Sequence, residues 1–262
     1  MNPGPLDLIP LWAIFAGTVA IILASVTTGL YLGRWKRKRS DDAAEAPVGA
    51  AVGATCGLLA FILAFTFSMS ASRFDARREL LLNDINAIGT TYLRAGLLPE
   101  PHKGEVRDLL RKYVDLRVDL TRHPEKLQQV IRESDDMQDR IWRHAEAIAQ
   151  EDLKNPDIVS QFIDALNQMI DIHTSRVTAL SYRIPPVVWA ALYILTIFSM
   201  IGVGYQFGLH GKGNIVVVVV MSVSFASVIL MNVDLDNPAA GWLKINQRPM
   251  LELQSKLTDT AK

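Results

Sequence analysis

Apolar residues are concentrated in four long runs, two at the start of the chain and two towards its end. The runs cover residues 8–33, 48–72, 185–207 and 215–231. The hydrocarbon core of a bilayer is about 30 Å thick, so a crossing helix needs about 20 apolar residues. Three of the runs reach this length easily and the fourth lies near the lower limit. The pattern predicts an all-α integral membrane protein with four transmembrane helices.

The segment between the second and third runs, residues 73–184, is rich in Arg, Asp and Glu and cannot lie in lipid. Its apolar residues recur with the helical period, and Pro99, Pro124 and Pro156 separate the predicted helices. Nothing breaks the helix between the second run and Pro99, so one long helix is expected to leave the membrane. We predict an extramembrane antiparallel helical bundle here, and a C-terminal tail over residues 232–262.

A short loop, residues 34–47, follows the first run and begins with the basic sequence Arg34 to Arg39. Lys and Arg in short loops favour the cytoplasmic side of a membrane, so the loop is predicted to be cytoplasmic and the helical domain to lie opposite. Recognition of anionic lipid is a less common role for such residues.

The first run is expected to be a retained membrane anchor and not a cleaved signal peptide, because residues 1–7 carry no Lys or Arg.

One face of the predicted helix through the second run changes from apolar to polar along its length. At about 100° per residue, the positions on this face fall within about 40° of one direction. They are Phe61, Phe65, Ser68, Ser72, Asp75 and Glu79, followed by Asn83, Asn86 and Thr90. An aromatic constriction that opens into a polar vestibule is one way for a pore to gate by dewetting. The carboxylates would favour cations at the mouth of such a pore.

A stripe of small residues runs beside this face and consists of Gly53, Gly57, Ala60 and Ala64. Small residues at such spacing let helices approach closely in lipid, so the stripe is predicted to pack on a neighbouring helix.

The commoner interpretation of the aromatic-to-polar face beside this stripe is that its phenyl groups pack in the bundle and its polar residues are simply solvated. Both interpretations are compatible with the sequence.

Arg73, Arg77 and Arg78 lie off this face at the expected membrane boundary, where arginine side chains commonly extend to lipid headgroups. After the fourth run, Asp234 and Asp236 could bind a hard cation, but a helix end followed by a turn accounts for them better.

The sequence shows no motif that indicates catalysis or a cofactor. Cys56 is the single cysteine, and the five histidines form no ligand pair at helical spacing. We therefore expect no enzyme activity, no cofactor, no metal site and no nucleic-acid partner. The expected partners are the lipid bilayer, further copies of the chain and small inorganic ions.

Two stretches, Gly57 to Glu79 and Asn83 to Pro99, resemble the bestrophin-like domain family, which consists largely of bacterial membrane proteins of unassigned function. The similarity extends through Tyr113-Val-Asp-Leu-Arg117 and covers residues 48–250. The resemblance implies a multi-pass protein of the bacterial inner membrane.

Bestrophins themselves, which are pentameric ion channels, are more distantly similar. Arg73-Phe74 and Ala76-Arg77 match a sequence motif at the end of the second span of bestrophins. Residues 236–241 partly match an Asn-Pro-Phe-Gly element that follows their fourth span. The acidic run that follows in calcium-gated members is missing here, so calcium gating is not implied.

By this resemblance, the apolar pore lining of bestrophins would fall near Phe61, Phe65 and Ser68, on the face that helical spacing identifies. Bestrophins keep both termini and the helical domain in the cytoplasm, which is opposite to what Arg34 to Arg39 indicate. We give the charge of the short loop the greater weight.

Two functions follow from these observations. The first is an oligomeric ion channel or pore whose second transmembrane helix lines the axis. The alternative is a membrane-anchored scaffold or interaction protein that acts through its helical domain and transports nothing.

Overall fold

A computed structural model describes residues 9–39, 46–150, 156–211, 213–237 and 241–259. Within these ranges all regular structure is helical, which confirms the all-α prediction. The helices are α1 (Leu11–Arg39), α2 (Ala46–Ala95), α3 (His102–Arg122), α4 (Leu127–Gln150), α5 (Pro156–Ser181), α6 (Pro186–His210), α7 (Ile215–Asp236) and α8 (Arg248–Asp259). One turn of 3-10 helix, Pro124–Lys126, precedes α4.

Four helical stretches of the described chain have the length and apolar composition of a membrane span, and they fall in α1, α2, α6 and α7. Parts of several predicted segments lie outside the described residues: 1–8 at the N-terminus, 40–45 of the loop, 238–240 of the motif and 260–262 of the tail.

The basic run Arg34 to Arg39, expected to open a loop, instead forms the last turns of α1. Cationic side chains are favourable at a helix C-terminus, where the helix dipole is negative. The guanidinium of Arg39 also lies 4.1 Å from the centre of the Trp35 ring, one turn earlier. The helix therefore continues through the basic run and does not end directly after Gly33.

The chain divides into two compact units. The first unit comprises residues 1–74 and 183–243, and the second comprises residues 75–182 and 244–262. Helix α2 is continuous and contributes to both, as the absence of a breaker predicted.

In the first unit, α1 and α6 approach each other through glycines. A Cβ atom added at Gly29 would collide with the carbonyl oxygen of Ile201, and one added at Gly204 would collide with the carbonyl oxygen of Val26. Gly33 and Gly208 repeat this close approach one turn further along. Each helix thus carries two glycines four residues apart, and the two backbones touch without side chains between them. Small-residue packing was predicted for α2, and the contact between the glycines of α1 and α6 was not predicted.

Two buried carboxylates hold the chain at the C-terminal end of α7. Asp234 accepts hydrogen bonds from the backbone N–H groups of Trp242 at 2.6 Å and Leu243 at 3.1 Å. Asp236 accepts a hydrogen bond from the N–H of Ile184, whose nitrogen lies 3.1 Å from Oδ2. The carboxylates therefore satisfy backbone donors, in agreement with the helix-end turn that the sequence favours.

The second unit has its own apolar core. Its fully buried side chains include Ile88, Tyr92, Leu110, Tyr113, Ile141 and Phe162. Thr91 Oγ1 donates a hydrogen bond to the carbonyl of Ala165 at 3.1 Å, and Asp84 pairs with Arg176. Because residue numbers rise along α2 as they fall along α5, the two helices are antiparallel at this contact.

Helix α8 belongs to the same core, although the sequence indicated only a tail. Met250, Leu253 and Leu257 are buried in the cluster that α2 to α5 form. The Tyr92 hydroxyl donates a hydrogen bond to the carbonyl of Leu257 at 3.4 Å. The spacing of the three apolar residues is helical and is the signal that could have identified this element.

Candidate functional site

The candidate face of α2 is exposed along its whole length in the single chain. Phe61 and Phe65 are 66% and 56% exposed, and the four polar residues that follow are exposed as well: Ser68, Ser72, Asp75 and Glu79. The phenyl groups therefore do not pack inside the helices of their own chain. Large exposed apolar groups mark a surface for lipid or for another protein chain.

The opposite face of α2 makes the contacts that fix its orientation. Leu59, Leu63 and Thr66 are buried at helical spacing in the first unit. Thr66 Oγ1 accepts a hydrogen bond from the Asn232 amide of α7 at 3.3 Å. Packing on this side turns the phenyl groups outward.

The small-residue stripe is exposed too: Gly53, Gly57, Ala60 and Ala64. A Cβ atom added at Gly53 or Gly57 would meet nothing within 4 Å in the described part of the chain. The stripe therefore packs on no helix of its own chain there, and its predicted packing would have to involve another copy.

The three arginines at the end of the second run have different environments. Arg73 Nη1 lies 3.4 Å from Asp236 Oδ1, and Arg77 is buried, whereas Arg78 is exposed. Extension of all three side chains to lipid headgroups stays a prediction. At Arg73, Asp236 supplies a charged partner, as a buried carboxylate requires.

Beyond Glu79 the exposed face leads to a polar cleft between α2 and α5. Its volume is about 640 Å³, and it is lined by Asn83, Asn86, Asp164, Asn167, Gln168, Asp171, Ile172 and Ser175. These described lining residues include two carboxylates and no Lys or Arg. Only the α2 residues of this cleft could be predicted, because the pairing of α2 with α5 joins residues far apart in the chain.

Beside this cleft, an ion pair joins α2 and α5 inside the second unit. Arg176 Nη1 donates to Asp84 Oδ2, and the Asp84 carboxylate is fully buried. Burial lowers the pKa of Arg176, and the negative charge of Asp84 opposes that shift. The pair thus holds together the two helices that line the cleft.

The candidate spans, the helical second unit and the exposed aromatic-to-acidic helix face define the class of multi-pass helical membrane proteins. Within that class, the chain belongs to the bestrophin-like domain family, whose family model matches residues 18–250. This match confirms the resemblance carried by the stretch from Gly57 to Pro99. Comparison with curated protein sequences gave no match.

Solved structures show the same fold. A bacterial bestrophin homologue from Klebsiella pneumoniae, carrying a point mutation, aligns with a TM-score of 0.66 and 16% identity, covering 93% of this chain and 99% of that one. A second mutant of that homologue aligns with a TM-score of 0.65 and 17% identity, over 96% and 98% of the two chains. A further membrane protein aligns with a TM-score of 0.63 and 17% identity, over 94% and 96%.

Proposed function

We propose that the protein is an oligomeric ion channel of the bacterial inner membrane, in which α2 of each copy lines a central axis. The observation that carries this proposal is the asymmetry of α2. One face is buried in its own chain, while the face from Phe61 to Glu79 is exposed and changes from phenyl groups to hydroxyls to carboxylates. Membership of the bestrophin-like family supports the proposal.

The order of side chains along this face suits a pore that controls its own hydration. Phenyl groups converging from several copies would form a narrow apolar constriction, from which water withdraws easily. The hydroxyl oxygens of Ser68 and Ser72 would then coordinate a permeating ion in place of the water molecules that it has lost. Asp75 and Glu79 would give the wider mouth a negative potential, which favours cations.

Contacts between copies are proposed to use the small-residue stripe beside this face. Gly53 and Gly57 have open space where a side chain would be, so a helix of a second copy can approach the α2 backbone closely. The basic end of α1 is proposed to face the cytoplasm, as charge in short loops predicts.

Replacing both Phe61 and Phe65 with alanine is expected to increase ion flux. Removal of the rings widens the constriction and lets water remain in it, which lowers the barrier to ions. A decrease of about 1.4 kcal/mol in that barrier would raise the flux about tenfold. Flux from liposomes that contain the purified protein measures the effect.

Phe198→Ala is the matched control, because Phe198 is 63% exposed but lies on α6 and not on the proposed pore face of α2. This variant should conduct like the wild type. Equal flux in all three proteins would contradict a pore through α2. An absence of flux from folded, oligomeric wild type would instead favour the scaffold function.

Gly57→Leu is expected to separate the copies without unfolding the chain. A Cβ atom at this position meets nothing within 4 Å in the described part of the chain, but a leucine side chain would occupy the space proposed for a neighbouring α2. Light scattering of the purified protein in detergent would then give a lower mass. Gly17→Leu is the control, since Gly17 also has open space around it but lies on α1. An unchanged mass for Gly57→Leu would place the interface elsewhere.

A further inference from the structure

A histidine lies inside the second unit between a guanidinium and a carboxylate. His173 of α5 is buried, and its Nδ1 atom contacts Nη2 of Arg117 from α3. Its other ring nitrogen, Nε2, lies 3.0 Å from Oδ1 of Asp135 from α4. One imidazole therefore joins three helices.

These two partners determine the protonation state of the ring. A guanidinium can only donate hydrogen bonds, so Nδ1 of His173 must offer a lone pair to Arg117. Nε2 must then carry the ring proton and donate it to Asp135, which accepts. The neutral imidazole with its proton on Nε2 satisfies both contacts. A second proton could bind only at Nδ1, where it would point at the N–H of Arg117.

Arg117 is held in place and has little freedom to move away from such a proton. Its Nη2 also donates to the Tyr113 hydroxyl at 2.6 Å, and its guanidinium lies 4.8 Å from the centre of the Tyr113 ring. The Tyr113 hydroxyl accepts a further hydrogen bond from Gln138 Nε2 at 3.1 Å. Burial raises the pKa of Tyr113, so this hydroxyl stays neutral and cannot compensate an added positive charge.

The charged groups that act on His173 are Arg117, Asp84 and Asp135, and Arg176 shares Asp84 and Arg117 with them. These two positive and two negative groups, from α2, α3, α4 and α5, sum to zero when the ring is neutral. Asp135 is 58% exposed, and solvent therefore weakens the one carboxylate that directly faces the ring.

We propose that His173 is a proton-sensitive connection within the second unit. When neutral, it joins α3 to α4 and α5 through Arg117 and Asp135. When Nδ1 is protonated, its contact with Arg117 becomes repulsive, and the three helices lose their common polar bridge. Acidification is therefore expected to loosen this unit, whether or not the protein conducts ions.

The direction of the pH dependence follows from the electrostatics. Burial and the charge of Arg117 lower the pKa of His173, while Asp135 opposes the shift. The unfolded chain then binds a proton more readily than the folded one. The stabilisation is complete above the unfolded pKa of about 6.5 and is lost as the pH falls through the lower folded value.

The test compares the melting temperature of the purified full-length protein between about pH 7.5 and about pH 5.5. His173→Gln keeps an acceptor and a donor but cannot titrate. The wild type should lose about 3 °C more than this variant over the acidic step. His210→Gln is the control, because His210 is exposed and its ring hydrogen-bonds, among described groups, to the carbonyl of Gln206 and to no carboxylate or guanidinium. It should follow the wild type. Equal pH slopes for wild type and His173→Gln would overturn the proposal.

Asp135→Asn keeps the proposal testable if His173→Gln does not fold. This change removes the charge that favours protonation while leaving an oxygen to accept from Nε2. The folded pKa of His173 should then fall further, so the acid-dependent loss of melting temperature should be larger and extend to a lower pH than in the wild type. A loss of the same size over the same pH range would show that His173 does not govern the transition.

Discussion

Asp84→Ala is expected to destabilise the protein more than any other single change considered for the second unit. It leaves Arg176 inside the fold without its carboxylate partner. Loss of one member of a buried ion pair costs about 3–5 kcal/mol. Because the Arg176 side chain retains 21% exposure, we expect the lower end, about 3 kcal/mol. Thermal unfolding of the purified protein in detergent measures this loss.

A double variant separates the charge effect from the packing effect. Asp84→Leu combined with Arg176→Leu removes both charges, and well-packed apolar replacements of buried pairs are often nearly neutral. It should recover most of the stability lost in Asp84→Ala. Asp164→Ala is the matched control, since Asp164 is an exposed carboxylate on α5 and should change little. If the Asp84→Ala variant has the same melting temperature as the wild type, then the Arg176 side chain turns to solvent with little loss of folding free energy.

The second large loss of stability is expected at the contact between α1 and α6. Gly29→Ala adds a Cβ atom that collides with the carbonyl oxygen of Ile201 and approaches the backbone nitrogen of Tyr205 to 2.7 Å. Neither backbone atom can rotate away, so the helices must separate. Overpacking of this kind costs about 1–3 kcal/mol. The melting temperature in detergent should fall accordingly.

Gly17→Ala provides the comparison on the same helix. A Cβ atom there meets nothing within 4 Å of the described chain. Alanine also favours helix over glycine by up to about 1 kcal/mol. The two substitutions should therefore have opposite signs. A stabilising Gly29→Ala would mean that α1 and α6 are further apart than the structure places them.

The properties of α2 that depend on one helix could be predicted from the sequence. The missing breaker before Pro99 indicated a continuous helix, and a period of about 3.6 residues placed Phe61 to Glu79 on one face. Which side of α2 is covered could not be predicted, because the contact of Thr66 with Asn232 joins residues distant in the chain. The exposure of the phenyl groups follows from that contact.

The glycines between α1 and α6 show the same limit. Their spacing is visible in the sequence, but Gly53 and Gly57 have it too, and nothing in a single sequence states which stripe has a partner within the chain. Likewise, Tyr113 to Arg117 was recognised only as part of a family resemblance, and His173 was only one of five histidines that form no ligand pair at helical spacing. Their association depends on three helices meeting.

The second unit is made from two separated parts of the chain, residues 75–182 and residues 244–262. Ribosomes add about 5–20 residues per second from the N-terminus, so α6 and α7 are both synthesised before α8. Until then, the Tyr92 hydroxyl lacks the Leu257 carbonyl, and the core lacks Met250 and Leu253. This core can therefore close only after α8 has been synthesised. Membrane insertion of the apolar helices and completion of the second unit are events separated in time.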